Sequence, residues 1–161
     1  MIPYFMVIGY SDSGKTTVVR ELVRIFKGRG LRVAAVKHAA HGYDLEPPGK
    51  DSWNYAQAGA DKTIVAGPDS VTTHEFFTES PSLDNVLAGI NNVDLIIVEG
   101  FKTEKGPKIE VFRQGFSSSR IKTDSELLAL VTDDPNSSEV VSFKPDQIEA
   151  LADFLLQQMV I

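Results

Sequence analysis

A chain of 161 residues with 42% hydrophobic and 24% charged side chains has the size and balance of one globular domain with its own core. The formal net charge of −6, with lysines and arginines scattered rather than clustered among aromatics, argues against a nucleic-acid partner. The lack of cysteine excludes disulfides and thiolate-bound zinc. With no apolar run as long as a membrane span and no basic leader ahead of the first apolar segment, a cytoplasmic protein with no membrane partner is expected.

Residues 3–8 read as a buried strand. Behind it, Gly9-Tyr10-Ser11-Asp12-Ser13-Gly14-Lys15-Thr16 satisfies G-x-x-x-x-G-K-[ST] without a mismatch, and Val18, Val19, Leu22, Val23 and Phe26 then recur at helical spacing. Strand, loop and helix in that order make a phosphate cradle. Backbone N–H groups converge on the anion, and the helix N-terminus adds positive partial charge. Gly9 and Gly14 allow a backbone path that side chains would obstruct. Ser11, Asp12, Ser13 and Thr17 belong to the same nucleotide-binding stretch. Lys15 is expected on the β- and γ-phosphates, as a catalytic cation, and the Thr16 hydroxyl on Mg²⁺. Gly28-Arg29-Gly30 ends the helix.

Residues 31–36 form the next strand, and a polar loop over 37–50 follows it. Lys37 is a candidate second cation beside the phosphates, or a rim lysine. His38 and His41 are spaced for a shared metal, but without a third clear ligand nearby a surface or supporting role is preferred. Asp44 and Lys50 stand in the same loop. Asp51 is the remaining carboxylate candidate for Mg²⁺, and Asp51 or Ser52 also fits as the cap of a helix to about residue 58. Strands over 63–66 and 71–77 and a helix over 83–89, with Ser82 or Asp84 near its start, come next.

Residues 93–98 are nearly all apolar, as in the centre of a parallel sheet, and lead into Glu99-Gly100-Phe101-Lys102. An acid at that point holds or orients Mg²⁺ in phosphate-loop proteins, so Glu99 is assigned to the ion and to catalysis. The strand over 108–112 ends at Arg113, a candidate for phosphate or base, or a solvated strand end. Residues 115–125 are serine-rich and expected to be mobile; 127–131 is a strand. Thr132-Asp133-Asp134 follows. A carboxylate accepts from the N1–H and N2–H₂ edge of guanine, which makes Asp133 or Asp134 a candidate for base selection; a turn acid before Pro135 is the equal alternative. Pro145 fits the first turn of a last helix carrying Ile148, Leu151, Ala152, Leu155 and Met159.

Alternating strands and helices without a composition break predict a single domain over residues 1–161. It is α/β, a three-layer P-loop NTPase-type fold with a mostly parallel sheet and helices on both faces. Ligands in such sheets bind beyond the carboxyl ends of the strands. Water attack on a γ-phosphate, helped by Lys15, backbone amides and Mg²⁺, is the reaction expected there. No glutamine-like water positioner or arginine finger stands out, so turnover is expected to be slow. Three functions compete. One is an accessory nucleotide-binding protein. Another is a small kinase whose lid over 117–122 would rely on Arg120 and Lys122. The third is a switch working through the 37–50 loop.

Taken together, residues 9–17, Val36-Lys37-His38, Pro48-Gly49-Lys50-Asp51-Ser52, Ala58-Gly59-Ala60, Val98-Glu99-Gly100-Phe101-Lys102 and Pro107-Lys108-Ile109-Glu110-Val111 resemble the MobB family, molybdopterin-guanine dinucleotide biosynthesis protein B. The likeness runs from about residue 3 to 131. It implies a GTP-binding protein with slow GTPase activity, usually a homodimer, that assists the MobA guanylyltransferase in joining GMP to molybdopterin, which is itself a possible ligand. It also implies that Gly14, Lys15, Thr16 and Thr17 hold the phosphates and Mg²⁺. A wider likeness to the dethiobiotin synthetase class implies that Asp51, Glu99 and Thr16 share the ion. Tyr10 occupies the place of the second, signature lysine of a related class, so dimer-dependent hydrolysis by that lysine is not supported.

Overall fold

The computed structural model describes residues 1–43, 47–116, 119–123, 126–134 and 140–159. Asp44, Pro135 and part of the serine-rich stretch (117, 118, 124 and 125) lie outside the described residues. The chain forms two compact units, Met1–His38 with Leu87–Ile161, and Ala39–Val86.

In the first unit the elements are β1 (Tyr4–Ile8), α1 (Lys15–Gly28) and β2 (Val33–Lys37), then β5 (Leu95–Glu99), β6 (Lys108–Phe112), β7 (Leu127–Thr132), β8 (Ser142–Phe143) and α4 (Ile148–Met159). The strands build a six-stranded sheet in the order β2-β5-β1-β6-β7-β8, and every pairing is parallel. Because side chains alternate along a strand, Phe5 and Val7 fall on one face with Leu95, Ile97, Ile109, Val111, Ala129 and Val131. Against them pack Val18, Val19, Leu22, Ile25 and Phe26 of α1 and Leu151, Ala152 and Leu155 of α4. Each fully buried aliphatic or aromatic side chain here contributes roughly 1.5–3 kcal/mol.

The opposite face combines buried Met6, Ile8, Ile96 and Val98 with two charges, Lys108 and Glu110, each only 1% exposed. Lys108 Nζ donates to Lys102 O at 2.8 Å and to Thr123 Oγ1 at 3.2 Å. Glu110 accepts from Arg120 Nε at 2.9 Å and from the Ile121 amide at 2.6 Å. Charge-assisted hydrogen bonds thus fasten loop segments over this face and meet the cost of burying the ions.

The second unit holds α2 (Asp51–Gln57), β3 (Lys62–Ala66), β4 (Val71–Glu75) and the start of α3 (Leu83–Ala88). β3 and β4 pair antiparallel as a separate two-stranded ribbon and do not join the parallel sheet. Asp51 is the first helical residue of α2 and Lys50 precedes it as N-cap, so neither Asp51 nor Ser52 is the cap that the sequence suggested. Ser82 does cap α3, accepting the Asn85 amide at 3.2 Å. Pro145 lies in a turn ahead of α4 rather than in its first turn. Gln147 ends that turn: its amide donates to Lys144 O and its side-chain Oε1 accepts from the Lys144 amide, both at 2.9 Å. Among the described residues, no helix is long and apolar enough to cross a membrane.

Candidate functional site

Parallel pairing lines up the carboxyl ends of the strands. Val7 of β1 registers with Glu99 of β5, and Glu99 registers with Lys37 of β2. Glu99 is therefore the last residue of its strand, between the loop after β1 and the end of β2. Lys37 likewise closes β2 rather than opening a loop.

The loop after β1 packs tightly. A Cβ on Gly9 would come within 2.6 Å of both Ser13 Oγ and the Val111 carbonyl oxygen, so only glycine fits. Asp12 has φ 60, a left-handed conformation that aspartate tolerates better than most residues. Gly14, also left-handed, is the N-cap of α1; it makes no side-chain cap, and the first turn carries no acid. The first amides of this helix are thus left to an incoming anion. Ser13 Oγ is buried and has no hydrogen-bond partner, the one such side-chain atom among the described residues.

Cations surround this opening. Lys15 Nζ donates to Tyr10 O at 2.6 Å, folded back on its own loop. Burial lowers the Lys15 pKa; nearby Glu99 and Asp12 oppose that shift, while Lys37 and Lys102 add to it. Thr16 Oγ1 lies 3.0 and 3.1 Å from the two Glu99 carboxylate oxygens, to which its single proton is shared. Lys37 Nζ stands 3.8 Å from Glu99 Oε1, in a pair whose glutamate is 12% exposed. Thr16 and Glu99 offer hard oxygen donors, the kind Mg²⁺ uses when phosphates and water fill its remaining positions. Among the described residues no group of three or more His, Cys, Asp or Glu is placed to hold a metal by itself.

Behind Glu99 the backbone is held in an unusual shape. Gly100 and Phe101 both have positive φ, 104° and 53°. A Cβ on Gly100 would lie 2.8 Å from His38 Cβ, and the His38 ring stacks on Phe101 at 4.1 Å. The His38 amide donates to Glu99 O at 2.8 Å. His38 therefore ties the end of β2 to the loop behind Glu99. His41 is exposed in the second unit.

Arg113 and Asp133, far apart in sequence, line one cavity of about 330 Å³ with Ser13, Gly14 and Thr17. Asp133 Oδ1 already accepts the Gln114 amide at 2.9 Å, and the Arg113 guanidinium lies 4.3 Å from the Phe116 ring centre. Asp134 donates its amide to Thr132 Oγ1 at 3.0 Å. Ser11 and Asp12 are exposed on the loop. Asp51 belongs to the second unit. Arg120, the lid candidate, is engaged by buried Glu110 instead.

Sequence reasoning named Lys102 without giving it a role of its own, and it showed neither the His38–Phe101 stack nor that the Ser13 hydroxyl lacks a partner. The adjacent Glu-Gly-Phe-Lys was the available sign for the first of these; nothing local marks the other two.

Residues 4–133 match the family described as MobB, molybdopterin guanine dinucleotide synthesis protein B. The chain belongs to the MobB family. Its relatives include the molybdopterin-guanine dinucleotide biosynthesis adapter protein of Escherichia coli K12, 35% identical over 99% of this chain and 94% of that protein. The Haemophilus influenzae Rd protein of the same name is 34% identical over 96% of this chain and 88% of its own length. The fold matches the crystal structure of a molybdopterin-guanine biosynthesis protein B (mobB), with a TM-score of 0.76 and 27% identity over 98% of this chain and 99% of that one. A Bacillus subtilis MobB structure shares the fold at TM-score 0.74 over 98% of both chains, at 23% identity. The MobB match takes in the whole loop after β1, Lys37, Glu99, Arg113 and Asp133.

Proposed function

We propose that the chain is an adapter in molybdopterin guanine dinucleotide biosynthesis that binds GTP with Mg²⁺ on residues 9–17, hydrolyses it slowly, and assists the guanylyltransferase MobA that joins GMP to molybdopterin. The observation that carries the nucleotide reading is the meeting of Thr16 and Glu99 at the uncapped N-terminus of α1, beside Lys15. There the amides of the loop bind phosphate oxygens, and the Ser13 hydroxyl gains a partner. Lys15 exchanges the Tyr10 carbonyl for a phosphate oxygen, recovering the charge-assisted contact that its burial makes costly to lose. Lys37 and Lys102 add positive potential over the same opening. Thr16 and Glu99 hold Mg²⁺, which when bound neutralises charge developing on the phosphates. The base enters the cavity between Arg113 and Asp133. With no water-positioning glutamine among these residues, hydrolysis is slow and a partner accelerates it.

The kinase reading draws no support from Arg120, because withdrawing that arginine would strand a carboxylate that is 1% exposed. We also infer a homodimer, supported by exposed Ile64 and Val71 on the outer side of the β3–β4 ribbon. Sedimentation of Ile64→Lys is expected to show monomer; an unchanged dimer removes the ribbon from the interface.

Calorimetric titration with GTP, ATP and their diphosphates, with and without Mg²⁺, tests the nucleotide reading. GTP is expected to bind most tightly, and Lys15→Ala to lose triphosphate binding. Preference for ATP, or full affinity in Lys15→Ala, contradicts it.

A further inference from the structure

The second unit contains a cleft of about 860 Å³ that the nucleotide reading leaves unused. α2 forms one wall, with Trp53 and Gln57 one helical turn apart. The inner side of the β3–β4 ribbon forms the other, where Val65 pairs with Thr72 and Thr63 with His74. Three rings run along this second wall. The His74 imidazole lies 4.1 Å from the Phe76 ring and 6.2 Å from the Tyr43 ring.

Packed interiors leave few voids larger than a water molecule, so a hollow of this size between two regular elements is a cleft rather than a packing fault. Its chemistry is selective. No Lys, Arg, Asp or Glu lines it among the described residues, so His74 is the one side chain there that could carry positive charge to a phosphate or a free carboxylate. Its remaining polar groups are neutral, the Gln57 amide and the Thr72 hydroxyl among them, which offer both donors and acceptors. Ring faces attract another flat ring by offset stacking, and neutral donors and acceptors read the edge of such a ring. The volume falls in the usual range for small-molecule sites, roughly 300–1,000 Å³.

We propose that this cleft binds a fused 2-amino-4-oxopyrimidine ring, the chemistry common to pterins and guanine, and that its occupant is the pterin. The choice of pterin rests on the adapter reading above, since that reading already seats guanine at the carboxyl ends of the parallel strands. The ring stacks among His74, Phe76 and Trp53, Gln57 and Thr72 hydrogen-bond its edge, and any charged substituent stays outside the cleft.

Trp53 is the chain's single tryptophan, so its emission reports on the cleft directly. The full-length protein is titrated with neopterin and, in a separate arm, with guanosine, by Trp53 fluorescence and by calorimetry. Neopterin is expected to quench saturably, and its affinity to fall about tenfold or more in His74→Ala and in Gln57→Leu, from loss of one stacking or hydrogen-bonding partner. GTP binding is expected to be unchanged in both variants. Saturable binding of guanosine without neopterin overturns the pterin assignment. Absence of binding by either, or binding that His74→Ala and Gln57→Leu leave intact, overturns the site. So does Trp53 emission that tracks protein concentration but ignores neopterin, which would mark a second copy as the occupant. Lys15→Ala separates the two readings: loss of GTP with neopterin retained is expected. A wild-type protein that binds GTP but not neopterin sinks only the cleft, and the converse sinks only the nucleotide reading.

Discussion

Gly9→Ala tests whether the loop after β1 is shaped by space as well as by motif. The new Cβ would lie 2.6 Å from Ser13 Oγ and 2.6 Å from the Val111 carbonyl oxygen, where ordinary contact starts at 3.4 Å. Ser13 Oγ belongs to a short side chain that can turn away. The Val111 oxygen cannot, because β6 is held in register by β1 on one side and β7 on the other. The loop itself must retreat by about 0.8 Å, which spreads the amides and displaces Lys15, whose Cγ is only 3.2 Å from the same point. Overpacking of this kind costs about 1–3 kcal/mol. With a urea dependence of roughly 1–3 kcal/mol/M, the unfolding midpoint should drop by about 1 M. GTP affinity should fall at least tenfold, roughly the effect of losing one charge-assisted hydrogen bond. Gly28→Ala is the control: nothing lies within 4 Å of its added Cβ, and it sits at the end of α1, so stability should hold or rise slightly. A Gly9→Ala protein with the wild-type midpoint and wild-type GTP affinity would refute the packing argument.

Glu99→Gln keeps the Thr16 hydrogen bond but removes the charge. GTP binding should lose its gain from Mg²⁺ while magnesium-free binding stays equal or tightens, as read by calorimetry; an undiminished magnesium effect removes Glu99 from the ion's shell. Arg120→Ala leaves Glu110 buried with its ion-pair partner gone and should cost about 3–5 kcal/mol in chemical denaturation, whereas a loss below 1 kcal/mol, roughly that of a surface pair, would deny it a structural role. Asp94 accepts from the Arg32 backbone and guanidinium, and the hydrogen bonds to Arg32 hold its pKa down at about 2, against an ordinary 3.8. A depressed carboxyl stabilises the fold above its unfolded value and loses that contribution as pH falls through the folded one. Wild-type stability should therefore decline between about pH 4 and 2 more steeply than that of Asp94→Asn, in thermal melts across that range. Parallel acid limbs would show the pair to be inert.

Contiguous features were readable before any fold was known. Residues 9–17 carry their own geometry, because strand, turn and helix follow one another along the chain and their chemistry is local. The apolar run before Glu99 announced a central parallel strand for the same reason, and the apolar spacing of α1 and α4 named the core face. Less local choices were not readable. Nothing in residues 71–77 says whether a strand joins the main sheet or turns back on its neighbour, since strand partners are chosen by tertiary packing. Pro145 fits a first helical turn by propensity, yet the Lys144–Gln147 hydrogen bonds place the helix start beyond it.

From the sequence alone came the G-x-x-x-x-G-K-[ST] loop between strand and helix, the parallel α/β class and the shortlist of polar residues, because each rests on periodicity or on neighbours within a few positions. Tertiary structure decided which of those residues meet. Register across β2, β5 and β1 set Lys37 and Glu99 together, with Thr16 reaching the same carboxylate from α1, and the ends of β6 and β7 brought Arg113 and Asp133 to one cavity. The same packing took Arg120 away from a lid and gave it to Glu110. Parallel strands are joined through long connections, so the contacts that make a site at their ends lie tens of residues apart and leave no mark on the intervening sequence.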